Sequence, residues 1–63
     1  MGIGQNIKKL REKAGITQAE LAQKIGVSQQ QIAFYEKGHD LPNVLRIKAM
    51  AETFHCTTDE LLK

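Results

Sequence analysis

One cysteine, one proline and no tryptophan occur in the 63 residues, and no apolar run approaches the roughly 20 residues that a membrane-crossing helix needs. Cys56, being alone, cannot close an internal disulfide, which fits a reducing compartment. The opening Met1-Gly2-Ile3-Gly4 lacks the basic and apolar regions of a secretory signal. A cytoplasmic chain with no membrane association is therefore expected. Metal ligation is also disfavoured. His39, His55 and Cys56 form neither a C-x-x-C nor an H-x-x-x-H set, and adjacent side chains at a helix end point apart. No glycine-rich phosphate loop follows a strand, so no cofactor is expected.

The length allows one domain, residues 1–63, and a chain this short buries only about 60% of its unfolded surface. With 41% hydrophobic and 25% charged residues it has the composition of an ordinary globular domain. The net charge of +2 is too small to indicate a partner, but its distribution is uneven. Residues 1–48 hold eight Lys/Arg against four Asp/Glu, whereas 49–63 hold one against three. That asymmetry suits a molecule that turns one side toward phosphates, and equally suits ordinary solvated helix faces.

Helical spacing runs through the whole chain. Ile3, Ile7, Leu10 and Ala14 mark a first amphipathic helix ended by Gly15. Thr17 and Glu20 form the capping-box pattern that starts a second helix, with Leu21, Ala22 and Ile25 on one apolar face and Gly26 as its stop. Ser28 and Gln31 repeat the box and open a third helix running to Lys37, stopped by Gly38. After the connection His39-Asp40-Leu41-Pro42, Asn43 caps a fourth helix in which Val44, Ile47, Met50, Ala51 and Phe54 recur, Phe54 being the largest core plug. Thr57 and Glu60 make another capping box for a short fifth helix carrying Leu61 and Leu62. The expected core is Ile7, Leu10, Leu21, Ile25, Val27, Ile32, Ile47, Met50, Phe54 and Leu61, with Cys56 as a small buried hydrophobe. Five short helices leave little room for a catalytic pocket, and no enzyme is expected.

The stretch T-Q-A-E-L-A-Q-K-I-G-V-S-Q-Q-Q-I, with its small Ala22 at a close helix crossing and its Gly26 turn, is a helix-turn-helix pattern. From about Asn6 to Leu62 the chain resembles the lambdoid phage repressor/Cro-like regulators, the xenobiotic-response-element type of helix-turn-helix family. The resemblance implies an all-α, five-helix lambda-repressor-like DNA-binding domain, with the helix-turn-helix at helices 2 and 3. It also implies that Arg11 and Glu36 pair. Both lie on inward stripes, four residues beyond Ile7 and Ile32, so they either pair or extend their charged ends to water. Three positions depart from the family's habits: Phe34 stands where Arg or Lys is frequent, His55 where glycine is frequent, and Asp40 where basic residues are frequent.

With Ile32, Tyr35 and Glu36 committed inward, a rotation of 100° per residue turns Gln30, Ala33, Phe34 and Lys37 outward, with Gln29 at the leading end. A glutamine amide offers a donor and an acceptor side by side, matching adenine N6 and N7 in the major groove. Gln29 and Gln30 are the expected base readers. Phe34 joins them if its ring meets a thymine methyl or sugar, and an A·T-leaning half-site follows; otherwise the ring leans back on the protein. Gln18 opens the second helix, where free N–H groups and the dipole attract a phosphate, as its family counterpart does. Gln31, Lys37 and His39 complete the expected phosphate contacts.

A domain of this size buries about 600–1,000 Å² on DNA, so a homodimer on a pseudo-palindromic operator is expected, with no small-molecule ligand. Leu45, Thr53, Thr58, Leu62 and Lys63 are candidates for its interface. The leading expectation is a sequence-specific regulator of transcription, a repressor in the first instance. The alternative is a helix-turn-helix used for protein contact, as in an antitoxin or adaptor, and Phe34 keeps it open.

Overall fold

Helix boundaries fall where short polar residues begin a turn and left-handed residues end one. The computed structural model describes residues 2–62, which form α1 (Ile3–Lys13), α2 (Gln18–Ile25), α3 (Gln29–Lys37), α4 (Val44–Phe54) and α5 (Thr58–Leu62), with no strand among them. The Thr17 hydroxyl accepts the Glu20 N–H at 3.1 Å and Glu20 Oε1 accepts the Thr17 N–H at 2.9 Å, a complete capping box. Asn43 Oδ1 accepts the Arg46 N–H at 2.9 Å and starts α4. The other two expected boxes are half-formed. Ser28 Oγ and Thr57 Oγ1 accept the N–H of Gln31 and Glu60, but neither side chain returns the bond. At Ser28 the reason is visible: the Gln31 amide donates instead to Asp40 Oδ2 at 2.8 Å.

Gly26 (φ 79°) and Gly38 (φ 82°) end α2 and α3 in the left-handed region. His55 does the same for α4 with φ 57° and ψ 44°, and is the one non-glycine with positive φ among the described residues. The Cys56 N–H reaches Ala51 O at 2.9 Å and the His55 N–H reaches Glu52 O at 3.3 Å, so the cap is fully hydrogen-bonded despite the side chain.

The core is Ile7, Leu21, Ala22, Ile32, Tyr35, Met50, Ala51, Phe54 and Leu61. Tyr35, not Phe54, is the largest fully buried side chain, and its hydroxyl accepts Arg46 Nη1 at 3.0 Å. Leu10, Ile25, Val27, Ile47 and Cys56 pack at the rim, half-buried. Burial, followed by the neighbouring Glu60 charge, pushes the Cys56 thiol above its ordinary pKa, which keeps it protonated at neutral pH. Val44, expected on the inward stripe, is 71% exposed. It is the first residue of α4, and a helical side chain leans toward the N-terminus, here past the end of the core.

α3 lies against both α1 and α2, α4 against α2, and α5 closes on α1, where Asn6 Nδ2 donates to Leu61 O at 3.0 Å. The α1–α3 approach depends on Gly4: a Cβ there would meet the carbonyl oxygens of Tyr35 and Glu36. Between the same helices Arg11 Nε donates to Glu36 Oε2 at 2.7 Å, with the two side chains only 12% and 4% exposed. Arg11 Nη2 reaches Glu36 Oε1 at 3.4 Å and Nη1 reaches Ile16 O at 2.8 Å. Hydrogen bonding to Glu36 outweighs desolvation and raises the Arg11 pKa further, so the guanidinium stays charged.

Two stability measurements follow from this packing. Arg11→Ala strands the Glu36 carboxylate and should lower the unfolding free energy by about 3–5 kcal/mol, while replacing both partners with apolar residues should cost clearly less. His55→Gly relieves the left-handed side chain and should raise stability by about 1 kcal/mol. Urea denaturation of each variant checks both.

Candidate nucleic-acid interface

α3 presents two contrasting sides. Ile32 and Tyr35 are buried beneath it, and Glu36 is held by Arg11. Gln29, Gln30, Phe34 and Lys37 are exposed, with Ala33 half-buried between them. Phe34 is 39% exposed and does not fold into the core. Its ring stands perpendicular to that of His39, with centroids 6.1 Å apart. The outward edge therefore carries two free amides, an aromatic ring and one ammonium group.

The remaining expected contacts sit differently. Lys37 and His39 are exposed near the end of α3. Gln18, at the first turn of α2, is half-buried, and its Nε2 donates to Glu36 Oε1 at 2.9 Å. Gln31 is half-buried and tied to Asp40. Gln18 and Gln31, expected as phosphate contacts, thus each already donate one hydrogen to a carboxylate in the folded chain. One further amide hydrogen remains on each nitrogen. Both oxygens of Asp40 are engaged, since Oδ1 accepts the Leu41 N–H at 3.0 Å. Sequence reasoning missed Asp40 as a partner of Gln31, and missed Gln18 as a partner of Glu36. No spacing rule joins residues nine or eighteen apart in this way.

At the far side, Val44, Ile47, Lys48, Thr58 and Leu62 line a shallow groove between α4 and α5. Leu41 and Leu45 are exposed nearby in sequence, at 72% and 77%. Thr53 Oγ1 is taken by Ala49 O at 2.9 Å, which reduces its value as an interface group. Lys63 lies outside the described residues. Among the described residues no three His, Cys, Asp or Glu side chains gather into a metal-holding group, and no helix is long and apolar enough to cross a membrane.

A capped α2, a glycine turn and an α3 with an open polar edge define a helix-turn-helix domain. The chain belongs to the Cro/C1-type helix-turn-helix family, whose model matches residues 7–61. It is 31% identical over 62 residues to the HTH-type transcriptional regulator ImmR of Bacillus subtilis, covering 98% of this chain and 49% of ImmR. It is 34% identical over 61 residues to repressor protein C2 of Salmonella phage P22, covering 97% of this chain and 28% of C2. The chain thus spans about half of one relative and under a third of the other. The crystal structure of the P22 c2 repressor with a synthetic operator superposes with a TM-score of 0.92 at 33% identity, over 100% of this chain and 96% of that one. The biofilm regulator SinR in complex with DNA gives 0.89 at 27% identity, over 97% of this chain and 98% of that one.

The capping box at the start of α2 has a pH signature. Hydrogen bonds from Thr17, backbone first and hydroxyl second, lower the Glu20 pKa. A depressed folded-state pKa means that the box stabilises the domain above the unfolded carboxylate pKa, and that this contribution is lost as pH falls through the lowered folded value. An NMR titration should find Glu20 below its ordinary value, and Thr17→Ala, which removes the hydroxyl but keeps the backbone N–H, should raise it only part of the way back.

Proposed function

We propose that the chain is a sequence-specific double-stranded DNA-binding regulator of transcription, a repressor, which lays α3 in the major groove. The observation that carries this reading is the open edge of Gln29, Gln30 and Phe34, held outward by the buried Ile32 and Tyr35 behind it. Gln29 and Gln30 match the adenine edge, and Phe34 matches the thymine methyl. Lys37, His39 and the first turn of α2 beside Gln18 supply phosphate contacts, with Gln31 in a lesser part because Asp40 competes for its amide. Relatives solved in complex with operator or other DNA support the DNA-binding role. The role is non-enzymatic and places the protein in the cytoplasm with its DNA.

Two copies on a pseudo-palindrome, with half-sites about 34 Å apart, complete the reading. Exposed Val44, Leu45 and Leu62 beside the α4–α5 groove offer the apolar surface for the second copy. Pairing is proposed at least in the DNA-bound state, where the two half-sites hold the copies together.

Selection from a random duplex pool should return A·T-leaning half-sites. On the selected site, Gln29→Ala or Gln30→Ala should cost about 1–3 kcal/mol and relax one base pair, whereas Lys37→Ala should weaken all sequences about equally. The affinity for random duplex should also fall steeply with salt. A flat salt response would instead support contact with a partner protein through the same helices.

A further inference from the structure

The segment after α3 doubles back along the helix and is fastened to it at three points. The His39 N–H donates to Phe34 O at 2.9 Å, which begins the reversal behind the left-handed Gly38. The His39 ring then stands perpendicular to the Phe34 ring, 6.1 Å between centroids. One residue on, Asp40 Oδ2 accepts Gln31 Nε2 at 2.8 Å, while its other oxygen is held by the Leu41 N–H. Gln31 and Phe34 are three residues apart on α3, and so lie on neighbouring rows of the same flank. The bond and the ring pair are thus consecutive rungs between the same two stretches of chain.

We propose that Gln31 and Asp40 are positioning residues for base recognition. Their bond fastens the return segment to α3 and so holds His39 against Phe34, which fixes the ring that α3 offers to the groove. This inference rests on the DNA-reading role proposed above. An unsupported phenylalanine on a helix surface rotates about χ1 and χ2 and would read a range of steps. One braced by a perpendicular ring offers a single face, since perpendicular packing is a preferred aromatic geometry. Asp40 cannot serve this purpose by charge alone, because a carboxylate facing a phosphate only weakens binding; its contribution to selectivity comes from the geometry of the bond.

Two readouts test the proposal. In the free protein, Asp40→Ala and Gln31→Ala should shift the ring-proton resonances of His39 and Phe34 toward values for unpaired rings, with the melting temperature nearly unchanged. On duplexes varied one base pair at a time, both variants should relax preference at the pair facing Phe34 by about threefold to tenfold, and leave the pair read by Gln30 alone. In a Phe34→Ala background, Asp40→Ala should have no further effect on preference. Asp40→Asn keeps an acceptor for Gln31 and should retain preference while tightening binding to all duplexes. Unchanged ring resonances in Asp40→Ala, or equal relaxation by Asp40→Asn and Asp40→Ala, would overturn the proposal. A wild-type protein that binds no duplex would instead defeat the DNA-reading role itself, whatever the resonances show.

Discussion

Glu36 is the point on which three helices agree. Its two oxygens accept Arg11 Nε and Nη2 from α1 and Gln18 Nε2 from α2, while Arg11 also fastens the α1–α2 connection through Ile16 O. A carboxylate almost closed to solvent needs these donors, because an unsatisfied charge there would cost several kcal/mol. The requirement fixes how α3 is rotated about its own axis. With Glu36, Ile32 and Tyr35 all turned inward, the amides of Gln29 and Gln30 have no direction left but outward. The interface is therefore set from behind, by one ion pair and two large side chains.

Local rules made much of this legible beforehand. Thr17, Ser28 and Asn43 stand one residue before α2, α3 and α4, Gly26 and Gly38 stand one after α2 and α3, and each acts through bonds to its immediate neighbours. At His55 the sequence shows only a departure from the family's glycine, and the structure shows that the residue keeps the left-handed shape, φ 57°. Pairing of Arg11 with Glu36 followed from an apolar stripe that a charge interrupts on each of two helices. What could not be read were contacts between residues far apart in sequence. Gly4 reads as an ordinary residue near a helix start, yet it decides how closely α1 approaches the carbonyls of α3. The spacing turns Tyr35 inward but does not show that it is buried more fully than Phe54, or that Arg46 meets its hydroxyl. The half-formed box at Ser28 teaches the same lesson: a spacing shows that a bond is possible, and a partner elsewhere can take the side chain away.

The outward edge of α3 is selective in its chemistry. Amides and a phenyl ring discriminate among base edges and contribute little to sequence-independent attraction, which comes from charge. Lys37 is the only formal positive charge on that edge, and Asp40 offsets it nearby. In the DNA-reading role proposed above, a helix of this composition would trade grip for discrimination, and avidity through a second copy would matter more than for a basic recognition helix.

The bond from Asn6 to the Leu61 carbonyl joins the first helix to the last. During synthesis, α1 leaves the ribosome early and must wait for nearly the whole domain before its polar partner arrives. Until then Ile3 and Ile7 have only part of their cover. The closed arrangement also brings α1 and α5 side by side, the geometry that lets a unit be spliced into a loop of a larger host without stretching either junction.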